Sequence, residues 1–418
     1  MRGFRELTRI GEALEKLRKA ITHRIVDSEP VSLTLAIGRI CGEDLYAPWD
    51  YPQYDRSAVD GYAVIAEDTF GASPTNPIKL RVAARIEAGI DISELPEIKR
   101  GEAAEVLTGA PIPPGSTAVI PVEEVERRGD EVEVHSQVYP GQNISKKGED
   151  FRAGEVILHR GELIKPWHIG VAASFGMNKL RVLRKPKAAI LSTGDELVEP
   201  GGELRPGQIY NSTKPMLASA LNTLECSVVD LGISRDDVDE ISRKIAEEAV
   251  KCDLVIVTGG TSVGAHDLVP EAISKIGEVI VHGLAMRPGK PAGFGIVEGK
   301  PVFMLSGFPV AALIQFRVLV IPAIEHITGC KFDPSPRIQG RLTRRVVSPP
   351  GIRSFIRVRV SEMADGELLV EPLRLTGSGI LSTLTRGNGL LIVPEELEGY
   401  EEGEEVEVEL LSPIVESG

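Results

Sequence analysis

Leu7, Ile10, Leu14, Leu17 and Ile21 recur at three- and four-residue spacing with Glu, Arg and Lys between them, which predicts a helix over residues 1–26. A second short helix is expected over residues 33–40, with Ser32 able to cap it. Pro48, Pro52, Gly61, Gly71, Pro74 and Pro77 then punctuate a loop- and strand-rich stretch. Residues 79–86, 118–121, 131–138 and 155–158 read as short β segments between Gly/Pro turns. This part of the chain is a β-rich unit, not a βαβ unit.

The pattern changes after Lys185-Pro186. Strands are predicted at 188–191, 227–231, 254–257, 279–282 and 301–305. Helices are predicted at 214–224, 238–250, 268–276 and 310–327, with Asp236 and Asp237 at the start of the second. Strands alternating with helices argue for a doubly wound, mostly parallel sheet covered on both faces. After Gly329 no further helix is expected. Residues 341–347, 355–360, 367–372, 390–393 and 406–411 alternate like strands and predict a C-terminal β domain, a barrel or a sandwich. Its first half is basic (Arg337, Arg341, Arg344, Arg345, Arg353, Arg357, Arg359), and most of those charges read as solvated strand faces.

Composition narrows the function. The chain has 418 residues, 42% of them hydrophobic, which suits several globular domains and excludes wholesale disorder. A net charge of −14 argues against a general phosphate-backbone binder, and 5% aromatic residues against stacking platforms for single strands, so no nucleic acid partner is expected. No uninterrupted apolar stretch has membrane-spanning length, and residues 1–20 carry charges throughout, so neither a membrane span nor a signal peptide is expected. Cys41, Cys226, Cys252 and Cys330 form no Cys-x-x-Cys pair. They fit reduced core residues of a cytoplasmic protein.

The chemistry is expected beyond the carboxyl ends of the parallel strands, where doubly wound sheets bind ligands. Four sequences fall there: Ser192-Thr193-Gly194-Asp195-Glu196, the run from Thr258-Gly259-Gly260 through Ser262 to Gly264, Arg287-Pro288-Gly289-Lys290-Pro291, and Ser306-Gly307-Phe308-Pro309. The glycine run matches neither G-x-G-x-x-G nor a P-loop, and reads equally as a phosphate cradle or a tight turn. Asp267 can cap the helix that follows it or hold a metal; Asp195 and Glu196 can be turn residues or ligands. Together, carboxylates at two strand ends can share a Mg²⁺ with substrate phosphates, and cations at a third can neutralise an oxyanion. Outside this domain, residues 55–63, 107–111 and 148–150 read as charged turns when taken alone.

Read together, residues 55–64, 108–114 with 118–125, 148–154, 191–211, 253–267, 286–295 and 378–382 with Asn388 resemble the MoeA family, the molybdopterin molybdenumtransferases, whose eukaryotic counterparts include the gephyrin E domain. The resemblance implies four domains: a mixed helix and strand domain (residues 1–45 with 144–180), an inserted β-rich domain (46–143), an α/β molybdopterin-binding domain (181–330) and a C-terminal β-barrel (331–418). It implies a Mg²⁺-dependent homodimer that takes adenylylated molybdopterin and an oxyanion, molybdate or tungstate, and releases AMP. The inserted domain of one subunit would serve its partner's site, and the molybdopterin adenylyltransferase would be a further partner. Carried over by motif, the catalytic residues are Asp60, Thr108, Asp150, Glu196, Asp236 and Asp267. Glu196 and Asp267 are also the metal ligands. Cofactor binding falls to Thr193, Gly194, Asp195, Gly259, Gly260, Ser262, Gly264, Arg287, Lys290 and Ser378.

This chain departs from the family pattern twice. Lys-Pro-Gly-Lys-Pro is here Arg287-Pro-Gly-Lys290-Pro, and Leu-Pro-Gly-Asn-Pro is here Leu305-Ser306-Gly307-Phe308-Pro309. Two other functions compete with the metal-inserting transferase. A molybdopterin adenylyltransferase would not need the long segments on either side of the α/β domain. A gephyrin-like scaffold would not need the full set of acids.

Overall fold

The computed structural model describes residues 7–260, 267–373 and 380–416, and the chain divides into two compact units. The smaller comprises Asp44–His159 and Pro166–Asn178; the larger holds the remainder.

The core of the larger unit is a six-stranded sheet, in the order Ser227–Ser234, Lys187–Thr193, Leu254–Thr258, Lys300–Leu305, Gly293–Val297, Glu278–His282. The first four strands run parallel, and Gly293–Val297 runs antiparallel to both its neighbours. Alternate residues of the same strands face opposite ways. Ala188, Ile190, Leu254, Ile256 and Phe303 join one apolar cluster with Leu217, Leu221, the N-terminal helix and the 310–327 region. Ala189, Leu191, Val255, Val257 and Val302 join another with Ile241, Ile245, Val269 and Ile273. A strand buried on both faces needs a continuous apolar run, and Leu254–Thr258 is buried at every position.

Several elements differ from the sequence expectation. The first helix spans Ile10–Ala20, not residues 1–26. Past Ala20 the chain meets the β-branched Ile21, Thr22, Ile25 and Val26, and the Ile25 amide is committed to the Ile327 carbonyl at 2.9 Å. The second helix is only Leu33–Ala36, and Ser32 makes no side-chain cap bond to it; Gly38, at φ +75°, turns the chain away. The helix expected over 310–327 is there as Pro309–Gln315 and Ile321–Thr328, joined by a π-helical turn, Phe316–Val320. Pro322 has no N–H for the Val318 carbonyl, so the ladder slips by one residue and the Ile321 N–H reaches Phe316 O instead. By length and composition this 20-residue stretch could cross a membrane, but 67% of its apolar window is buried inside the protein. The strand Gly293–Val297 and the helix Pro166–Ser174 gave no clear sequence signal.

The C-terminal region closes into a five-stranded barrel. Arg353–Glu362 pairs with Leu368–Pro372 and Gly389–Val393, Arg337–Leu342 with Leu368–Pro372 and Glu405–Leu410, and Gly389–Val393 with Glu405–Leu410. A short helix, Ser382–Arg386, interrupts the all-β pattern expected there. Met286–Arg287 adds to the barrel's longest strand, with Arg287 opposite Ser354. That pairing ties a strand-end loop of the α/β domain to the barrel wall.

The smaller unit is built on a six-stranded sheet in the order Ala118–Pro121, Gly61–Val64, Glu102–Val106, Ile78–Ile86, Glu131–Val134, Val125–Arg128. Trp49, Tyr51 and Phe151 meet the edge or face of Phe175 at centroid distances of 6.0, 5.7 and 5.7 Å. Gly61 has no room for a side chain: a Cβ there would lie 1.9 Å from the Ile120 carbonyl oxygen. Gly61→Ala should therefore cost about 3 kcal/mol of stability through forced separation of two paired strands. Urea unfolding would measure this.

Candidate functional site

The parallel strands end at Thr193, Ser234, Thr258 and Leu305, and the loops that leave them carry most of the sequence-predicted site. Ser192 Oγ lies 2.9 Å from Thr258 Oγ1 and also reaches Asn211, so two adjacent strand ends are locked together by hydroxyls. Gly259 and Gly260 sit at φ +87° and +60° against Thr193, and a Cβ at Gly259 would come within 2.4 Å of its carbonyl oxygen. These glycines are required by close backbone approach as well as by dihedral. Thr193 Oγ1 and Asn211 Nδ2 are buried and have no hydrogen-bond partner among the described residues. Orphaned polar atoms at a strand-end crevice are what a polar ligand would satisfy.

The acids of this edge have different surroundings. Asp195 Oδ1 accepts the Asp236 backbone N–H at 3.4 Å, which joins the first and second strand-end loops. Glu196 folds back over Gly194, where a Cβ would lie 2.7 Å from its carboxylate. Asp237, not Asp236, caps the helix Val238–Ala249, by accepting the Glu240 N–H. Asp267 occupies the N-cap position of Leu268–Ile276 but makes no side-chain cap bond among the described residues. Its Oδ1 is buried without a partner there, and its Oδ2 lies 3.5 Å from His282 Nε2. Burial pushes the Asp267 carboxyl above its ordinary value, while His282 pulls the other way. Ser262, Gly264 and Ser378 lie outside the described residues.

Arg287 and Lys290 converge on one cavity of about 250 Å³, lined also by Gly289, Ser354 and Arg357. No carboxylate lines it among the described residues. Arg357 was not expected as a site residue. It sits on a barrel strand that the sequence reads as basic and solvated, yet it is only 5% exposed. Its Nη1 donates to the Phe355 carbonyl at 3.1 Å. Burial, with Arg287 nearby, holds its guanidinium below the ordinary value. The signal that would have found it is the pairing of Met286–Arg287 with Arg353-Ser354, a long-range contact that no local pattern reveals.

Three predicted residues lie in the smaller unit. Asp60 Oδ1 accepts both the backbone N–H and the hydroxyl of Thr108, each at 2.6 Å. Those two bonds hold the Asp60 carboxyl below its ordinary value. Asp150 is exposed on the turn after Gly148, its N–H donated to the Tyr51 carbonyl. Glu126, Glu133 and His135 form a separate group whose ligand atoms lie within 4.8 Å of one another. Arg128, at 3.1 and 3.4 Å, and Lys79, at 3.5 Å, already neutralise those two carboxylates, so the group reads as an ion-pair network.

The larger unit thus combines a doubly wound domain, with orphaned polar groups at its carboxyl edge, and a barrel that meets it along a cationic cavity, an arrangement suited to an anionic ligand. Residues 189–326 match the family described as "probable molybdopterin binding domain", residues 8–176 the MoeA N-terminal region (domains I and II) and residues 339–411 the MoeA C-terminal region (domain IV). The chain belongs to the MoeA family. A Methanocaldococcus jannaschii protein whose name assigns it to molybdopterin biosynthesis is 40% identical over 390 residues, 91% of this chain and 92% of the relative. Molybdopterin molybdenumtransferase 2 of Mycobacterium tuberculosis is 37% identical over 98% of this chain and 99% of its own length. The crystal structure of the MoeA molybdopterin biosynthesis protein of Pyrococcus horikoshii superposes with a TM-score of 0.84 at 35% identity, covering 97% of this chain and 100% of that one.

Proposed function

We propose that this protein is a molybdopterin molybdenumtransferase, which takes adenylylated molybdopterin and molybdate, inserts the metal and releases AMP. The observation that carries this reading is the cavity where Arg287, Lys290 and Arg357 meet without a carboxylate among the described residues. Three cations gathered at one point, one of them buried, favour a doubly charged oxyanion over any neutral ligand. Tungstate has the same shape and charge and is an alternative substrate. Lys290 supplies a point charge and the two arginines planar forks, so the oxyanion is both neutralised and oriented.

At the sheet edge, Thr193 and Asn211 offer unfilled polar atoms for the pterin phosphate, and Gly259 and Gly260 allow the ligand close to the backbone. Glu196 and Asp267 would hold Mg²⁺. An all-oxygen donor set, with one buried Asp267 oxygen lacking a partner among the described residues, suits a hard cation. When bound, the ion would screen the phosphate charge during adenylate hydrolysis. The reading extends to a homodimer supplied by the molybdopterin adenylyltransferase. It also extends to a cytoplasmic location, with which four buried free cysteines accord.

The direct test is AMP release from adenylylated molybdopterin. Molybdate and Mg²⁺ together should give AMP and active cofactor, and EDTA should stop the reaction. ATP-dependent adenylylation of metal-free molybdopterin would instead identify an adenylyltransferase. Absence of both reactions would leave a scaffold.

A further inference from the structure

Gln315 ends the helix Pro309–Gln315, immediately before the π-helical turn, and is fully buried. Its side-chain amide is spent on two loops of the site. Oε1 accepts the Ser306 backbone N–H at 2.7 Å, and Nε2 donates to the Gly289 carbonyl at 2.9 Å. Both partners are backbone groups of fixed polarity, so the amide has one orientation. Gly289 lies between Arg287 and Lys290 at φ +106°, and a Cβ there would sit 2.8 Å from Gln315 Cγ. The side chain therefore presses against the cationic loop as well as bonding to it.

The other end of the clamp depends on the departure from Leu-Pro-Gly-Asn-Pro. A proline at position 306 would have no N–H to give; Ser306 has one, and its hydroxyl additionally accepts the Phe308 N–H at 3.1 Å. The Ser306 loop in turn adjoins the glycine loop. Gly259 N–H donates to the Leu305 carbonyl at 3.1 Å, and a Cβ at Gly307 would lie 3.5 Å from Gly259 Cα. Gln315 thus connects the cationic cavity to the strand-end crevice through two hydrogen bonds.

We propose that Gln315, paired with Ser306, is a positioning residue that holds the Arg287–Lys290 loop in register for the oxyanion. The inference rests on the reading of that cavity as the oxyanion site. Gln315→Met keeps the buried length of the side chain and removes both bonds, leaving the Gly289 carbonyl and the Ser306 N–H without this partner. Molybdate titrated calorimetrically into the purified full chain should bind about tenfold more weakly to Gln315→Met. In cofactor formation the half-saturating molybdate should rise about tenfold, while the maximal rate falls less than threefold. Ser306→Pro, which deletes one of the two Gln315 bonds together with the hydroxyl that accepts the Phe308 N–H, should weaken molybdate about threefold and serves where Gln315→Met fails to fold.

A purely structural Gln315 would lower the melting temperature and leave molybdate affinity unchanged in both variants, which overturns the inference. Lys290→Ala separates the two layers. If Lys290→Ala weakens molybdate binding and both clamp variants bind like wild type, the positioning role alone is wrong. If wild type and Lys290→Ala bind alike, the oxyanion site is misassigned and the clamp proposal falls with it.

Discussion

Lys290→Ala should raise the molybdate needed for half-maximal cofactor formation about thirtyfold, with the melting temperature unchanged. A charge-assisted contact to an oxyanion contributes about 2 kcal/mol, which corresponds to that factor. The Lys290 side chain is solvent-exposed at the cavity mouth, so its truncation leaves no buried group stranded. Arg357→Ala differs in kind. Arg357 is buried, donates to the Phe355 carbonyl and lies near the Thr383 hydroxyl, so its loss should lower both molybdate affinity and barrel stability. Steady-state titration of molybdate, with calorimetric melting on the same preparations, distinguishes the two. A Lys290→Ala enzyme with wild-type molybdate dependence would show that the cavity serves another ligand.

Much of this architecture is legible in local pattern. The helix over Leu268–Ile276 and the strand Ala118–Pro121 have the boundaries that periodicity and punctuation predict. So does the buried run at Leu254–Thr258, to within one residue. Amphipathic helices and doubly buried strands write their environment into successive residues, which is why they can be read. The misses come from interactions across the chain. The β-branched residues past Ala20 weaken the helix locally, but nothing near them announces that the Ile25 amide will be used by Ile327. The π-helical turn follows from Pro322, which is visible in the sequence, but the expected helix over 310–327 takes no account of it.

The candidate site divides along the same line. The strand-end loops carry composition that marks them: glycines that approach a neighbouring backbone, prolines that flank the cations, and acids at the heads of helices. The pairing of Asp60 with Thr108 joins residues that only the resemblance had set side by side. Arg357 and Gln315 carry no such mark. One is a single arginine among seven on a basic segment, the other a glutamine in a helix that reads as apolar. Their roles come from what lies opposite them, an added edge strand and two backbone groups, and this is tertiary information.

Asp267→Asn should reduce AMP release by about a hundredfold or more while leaving the fold intact. The substitution keeps the size of the side chain and its capacity to cap a helix, and removes only the charge. If capping were the role of Asp267, the variant would be as active as wild type; the absence of a side-chain cap bond among the described residues already speaks against that role. The sign of the stability change is a second, independent reading. Burial raises the Asp267 carboxyl, so the folded state binds its proton more tightly than the unfolded chain does. Stability from this group is full below its unfolded value and is lost as pH rises through its folded one. At neutral pH the ionised carboxylate is therefore a burden on the folded protein in the absence of divalent cation, and Asn should match or exceed the wild-type melting temperature. Adding Mg²⁺ should stabilise wild type and not Asp267→Asn, because the ion would be held by the charge that the variant lacks. Melting curves of wild type and Asp267→Asn at neutral pH with Mg²⁺ and with EDTA, beside AMP release from the same preparations, test both expectations. Full activity in Asp267→Asn, or equal stabilisation of both proteins by Mg²⁺, would remove Asp267 from the metal site and leave the oxyanion cavity untouched.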